Sequence, residues 1–110
     1  MALRYVIKAR AQREITRAAA WWAENRLAAP GAVRIDVSNA LSILVHHPGL
    51  GEKVETGRPI QVRRYLMSKT QRWVYYRVKS DVLEVLSVWG AMDSFQSCGK
   101  GGNGQSSVNP

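Results

Sequence analysis

With 110 residues and a mass of 12.3 kDa, the chain has room for one hydrophobic core and no second. Hydrophobic residues at 45% against 22% charged exclude global disorder, and the single cysteine, Cys98, excludes an intrachain disulfide and an unaided structural zinc site. Sixteen Lys and Arg against 8 Asp and Glu give a net charge of +8, and 11 of those cations are arginines, whose planar guanidinium suits phosphate and carboxylate. Such a surface is drawn to polyanions: nucleic acid, a ribosome or an acidic protein segment.

No apolar run in MALRYVIKAR is long enough for a signal-peptide core, and none elsewhere approaches the ~20 residues that span a bilayer, so the expected location is cytoplasmic. Residues 3–9 alternate, with Leu3, Tyr5 and Ile7 on one side and Arg4, Val6 and Lys8 on the other, which predicts a first strand. From about Ala11 the period changes. Ile15, Ala18, Ala19 and Trp22 fall at helical spacing, predicting an amphipathic helix that runs to about Leu27.

After the break at Ala28-Ala29-Pro30-Gly31, a second apolar stripe of Val33, Val37, Ala40, Leu41, Leu44 and Val45 predicts a second helix, closed by His46-His47-Pro48. So short a link predicts an antiparallel helical hairpin. Residues 48–59, rich in Gly, Pro and charge, are expected to form a plain surface connection. Three β-like runs follow at 60–67, 72–78 and 82–89, with separations of hairpin length that predict an antiparallel meander. The fold class is therefore α+β in the order β-α-α-β-β-β, the hairpin packed on one face of a small sheet. Residues 1–91 make the domain, and 92–110, rich in Gly, Ser and Asn, are expected to be a flexible tail.

The stretches WWAENR at 21–26, HPGLG at 47–51, VRRYLMSKTQRWVYYRV at 62–78 and LEVLSVW at 83–89, in this order and at these distances, resemble the ParE branch of the RelE/ParE toxin superfamily over about positions 3–91. The resemblance implies a helical hairpin followed by a curved antiparallel sheet, an antitoxin as partner, and growth arrest by the free toxin. It also implies one of two targets. RelE-like members cut messenger RNA on the ribosome; ParE-like members poison DNA gyrase.

Cleaving RNA through its 2′-hydroxyl needs a base, an acid and cations around the charged phosphorane. The candidate cations, for catalysis or for binding a target anion, are Arg63, Arg64, Lys69, Arg72 and Arg77. Period-2 geometry sets Arg63 opposite Arg64 and puts Arg77 on the face of Trp73 and Tyr75. Arg64 and Arg77 are the preferred converging pair, against the alternative of a solvated edge or an ion pair with Glu84. Tyr75 is the candidate acid or base, and Tyr76, facing the other way, is assigned to the core.

Relatives of the nuclease type read Trp-His and then Arg at the end of the last strand, where this chain reads Trp89-Gly90-Ala91-Met92-Asp93. Glycine transfers no proton and aspartate repels phosphate, which favours a gyrase-binding toxin over a ribonuclease and also admits a degenerate, non-toxic relative. His46 and His47 lack carboxylate or cysteine partners at ligand spacing and fit helix capping better, so neither metal nor cofactor is expected. Trp22 belongs to the core stripe. Trp21 at its margin, with Arg17 and Arg13 on the polar side, forms the expected antitoxin contact, and the antitoxin is expected to lay an acidic amphipathic segment in the hairpin groove or along a sheet edge.

Overall fold

The structure, a computed structural model, describes residues 2–90. The tail, Cys98 and the departure from the nuclease pattern after Gly90 lie outside those residues. The elements are β1 (Arg4–Ile7), α1 (Ala9–Asn25), α2 (Ala32–Leu44), β2 (Glu52–Val54), β3 (Val62–Met67), β4 (Arg72–Lys79) and β5 (Val82–Gly90). The α+β order is the predicted one. It carries one strand more than the sequence announces, because β2 forms inside the stretch expected to be plain connection. Only three residues long, β2 is an edge strand whose order comes from its antiparallel partner β3, with Glu52 opposite Arg64 and Val54 opposite Val62.

The five strands make one sheet in the order β1-β5-β4-β3-β2. The meander β3-β4-β5 is antiparallel as predicted, whereas β1 lies parallel to β5, with Arg4 opposite Val82 and Ile7 opposite Val85. A parallel neighbour needs a crossover, and the two helices provide part of it. The β4–β5 hairpin turns through Ser80 at φ 58°, with Lys79 paired to Val82 across it. Between Tyr75 and Tyr76 the register slips by one residue on β5, so Tyr75 faces Ser87 while Tyr76 faces Val85.

Both helices cover one face of the sheet with the stripes read from the sequence. Ile15 and Ala18 of α1 and Val33, Val37, Leu41 and Leu44 of α2 are buried against Val74, Tyr76, Leu83 and Val85. Each large aliphatic side chain removed from water in this way contributes about 2 kcal/mol before entropy is counted. The polar exception in this layer is Asp36, 4% exposed on the inner face of α2. Its carboxylate accepts from the Thr70 amide at 2.7 Å and the Thr70 hydroxyl at 2.8 Å, tying the β3–β4 turn to the helix.

Candidate functional site: the solvent-facing side of the sheet

Alternation along the strands sends Arg64, Trp73, Tyr75 and Arg77 away from the helices, as the sequence predicts, and Arg63 and Tyr76 toward them. In register, Leu66, Trp73 and Trp89 form one cross-strand row, and Arg64, Tyr75 and Ser87 form the next. The Arg64 guanidinium carbon sits 4.0 Å from the Trp73 ring centroid, a stacked cation–π contact. It is also ion-paired with Glu52 on the edge strand. Hydrogen bonding to the Tyr75 side chain first, and to Glu52 second, pushes the Arg64 pKa above its ordinary value, so this group is held cationic. The Tyr75 ring meets Trp89 edge-on, with centroids 6.4 Å apart.

Arg77 stands on the same face as Arg64 but is engaged. Its Nε donates to Glu84 at 2.7 Å in a pair with little solvent exposure, and the bond from Arg77 holds the Glu84 carboxyl below its ordinary value. Of the two readings left open for Arg77, the structure therefore shows the ion pair. Arg63 faces the helix side, where its Nη1 donates to the Gly51 carbonyl at 2.7 Å. Lys69 lies in the turn tied down by Asp36, and Arg72 opens β4 opposite Gly90. The five cations thus do not converge: Arg64 and Arg77 share a face, and the other three lie elsewhere.

Tyr76 is fully buried, as assigned, and its hydroxyl has a specific task. It donates to the Pro48 carbonyl at 2.7 Å and accepts from the Gly51 amide at 3.0 Å, fixing the loop that leads into β2. Burial raises its pKa above 10.0. Gly51 is indispensable to this approach, since a Cβ there would lie 2.6 Å from the Tyr76 hydroxyl and 2.7 Å from the Arg64 carbonyl oxygen.

One residue of α1 outside its apolar stripe proves central. Glu14 of α1 reaches β5 where β1 has ended, and its carboxylate accepts from the Ser87 hydroxyl at 2.8 Å, the Val88 amide at 2.9 Å and the Trp89 indole at 2.9 Å. A side chain here takes the place of a neighbouring strand. Arg10 pairs with the same carboxylate at 3.3 Å and lies over the Trp89 ring at 5.6 Å, so the aromatic row continues onto the helix. The available signal was the indole N–H of Trp89, which needs an acceptor when partly buried.

The expected antitoxin contacts lie along an outer face of α1. Arg13 and Arg17 are exposed, Trp21 is 46% exposed, and Arg26 sits over both Trp21 and Trp22 at 5.5 and 5.7 Å. Separate from them is a groove of about 300 Å³ between β1, α1 and α2, floored by Ile7, Ile15, Val37 and Leu41 and rimmed by Arg34 and Ser38. Among the described residues no group of three or more His, Cys, Asp or Glu is placed to hold a metal, and no helix is long and apolar enough to cross a membrane.

No family model matches the sequence, and no curated protein matches it. Among solved structures, the chain is similar to one described as "Chromosomal ParDE TA system from P. aeruginosa", with a TM-score of 0.65, 15% identity, and coverage of 81% of this chain and 96% of that one. At that identity the likeness is one of fold, and the fold is the one that the RelE/ParE resemblance implies.

Proposed function

We propose that this protein is the toxin of a type II toxin–antitoxin system, of ParE type, silenced by an antitoxin and acting in the cytoplasm by binding DNA gyrase. The observation that carries the reading is the fold shared over nearly the whole of a chain from a ParDE TA system. The binding rather than catalytic mode is supported by the engagement of both outward-facing strand arginines, Arg77 with Glu84 and Arg64 with Glu52, so that neither is an uncommitted cation. A ribosome-dependent ribonuclease would need such a cation at the phosphorane.

The antitoxin is an acidic amphipathic segment. Its apolar side fits the groove floored by Ile7, Ile15, Val37 and Leu41, its carboxylates suit Arg34, and a continuation across α1 meets Arg13, Arg17 and Trp21. Arg64 and Arg77, on the solvent-facing side of the sheet, face the target, while Arg63, Lys69 and Arg72 lie elsewhere and add to the net positive charge. Ordering the segment costs entropy, so apolar burial has to supplement the charge attraction.

Inducing the chain alone and then with the adjacent open reading frame tests the system: growth arrest relieved by the neighbour is the expected result, and unimpaired growth identifies a degenerate relative instead. Purified protein should inhibit gyrase supercoiling and trap cleaved DNA. Unchanged supercoiling together with new cuts in translated messages would replace gyrase by the ribosome as target.

A further inference from the structure

Exposure along α2 recurs every fourth residue in two neighbouring ridges. Arg34, Ser38 and Ser42 make the first, which lines the groove between the helices and β1. Ile35, Asn39 and Ile43 make the second, one residue and about 100° further round the helix, turned away from that groove. This second ridge carries no charge, although the chain has a net charge of +8, and its two isoleucines are 53% and 38% exposed. Isolated exposed apolar residues are ordinary. Two β-branched residues set at equal distances from a central amide are not explained that way, and they do not serve the helix itself, since lysine or glutamate forms a better helix in water.

The ridge Ile35, Asn39, Ile43 reads the same in both directions, and the geometry points to its occupant: a second copy of this chain, docked with its α2 antiparallel across a twofold axis at Asn39. In that arrangement Ile35 of each copy packs on Ile43 of the other, and the two Asn39 amides, each both donor and acceptor, bond to one another. Ridges of four-residue spacing are the ones that interdigitate most often between packed helices. The polar residue between two apolar anchors fixes the register, because a slip sets the amide against isoleucine. Charge argues the same way. Arg34 is the exposed charge of α2, whose other charged residue, Asp36, is buried. It lies five residues from Asn39, so its two copies stand roughly 15 Å apart along the helix axis, beyond the ~8 Å screening length at physiological salt. Two like-charged bodies thus meet along this strip without apposing their cations, and the long-range repulsion that is left is what salt screens. With three anchors per copy the interface belongs to the small class, and the dimer forms at micromolar rather than nanomolar concentration. The ridge involved is not the one that lines the groove, and the inference stands independently of the toxin reading.

Sedimentation velocity of the purified full chain, from about 5 to about 500 μM and at about 0.1 and about 0.5 M salt, tests this. A monomer–dimer transition that strengthens with salt is expected, because salt screens the repulsion between two bodies of +8 charge. Ile43→Lys should weaken dimerisation by at least about tenfold, and Gln61→Lys, which adds the same charge at an exposed position off the helix, by about twofold at most. Ile35→Lys, at the more exposed end of the ridge, should match Ile43→Lys and decides the matter if that variant fails to fold. With Cys98→Ser removing the natural thiol, Asn39→Cys should form a disulfide-linked dimer on mild oxidation with diamide, because the twofold axis brings that position onto itself, whereas Gln61→Cys should stay monomeric. A chain that is monomeric at the highest concentration, association that falls with salt, lysine variants that dimerise as before, or an Asn39→Cys protein that does not cross-link would each overturn the proposal.

Discussion

Arg63 and Arg64 are consecutive residues of one strand, yet the two faces of the sheet hold them in opposite ways. On the helix side, Arg63, Tyr76, Pro48 and Gly51 form a linked set of hydrogen bonds around a fully buried ring. On the solvent side, Arg64 rests on Trp73 and pairs with an exposed carboxylate that water or another anion can replace. The same residue type therefore serves to fix shape on one face and to remain exchangeable on the other. The difference comes from desolvation, since a buried donor left unsatisfied costs far more than a surface ion pair contributes.

The strongest way to break this comparison is Gly51→Ala. A Cβ forced against the Tyr76 hydroxyl and the Arg64 carbonyl should lower stability by about 3 kcal/mol in urea denaturation, and an unchanged midpoint would show that the loop is not locked. Asp36→Ala, which strips the Thr70 amide and hydroxyl of their acceptor, should cost about 2 kcal/mol by the same measurement.

Tyr76→Phe should cost about 1–2 kcal/mol through the orphaned Pro48 and Gly51 groups. It also sharpens the comparison by pH. Because burial raises the folded pKa of Tyr76 above 10.0, the folded state keeps the proton longer than the unfolded one. Its contribution is intact below about pH 10 and is lost as pH rises through the folded value. The Phe variant should lack that alkaline limb in thermal melts.

Glu84 gives the opposite sign. Arg77 lowers its folded pKa below 4.5, so its contribution is present above the unfolded value and is lost as pH falls through the folded one. Arg77→Gln should flatten that acid limb of the stability curve. The smallest effect belongs to the solvent face: Arg64→Ala should change stability by less than about 1 kcal/mol, and a larger loss would mean that this residue is structural after all.

The helices and the three meander strands were legible because each carries an apolar stripe of its own period, and Leu41, Leu44, Val74 and Val85 are buried where that pattern puts them. Glu52-Lys53-Val54 has no such stripe, so β2 was invisible, and with it the Glu52 partner of Arg64. The facing directions of Arg63, Arg64, Tyr75 and Tyr76 followed from alternation alone. The contacts of Glu14 did not, because they depend on where β1 stops relative to β5, a long-range register that no local window contains.

That register also governs when the molecule can be completed. The first strand has its sheet partner nearly eighty positions later in the chain, with Arg4 beside Val82, so a nascent polypeptide emerging from the ribosome carries both helices and most of the meander before β1 has anywhere to dock. Closure is a late event of synthesis: a product interrupted ahead of Val82 would leave β1 without its strand partner and Glu14 without its donors Ser87, Val88 and Trp89, and would be an early substrate for proteolysis.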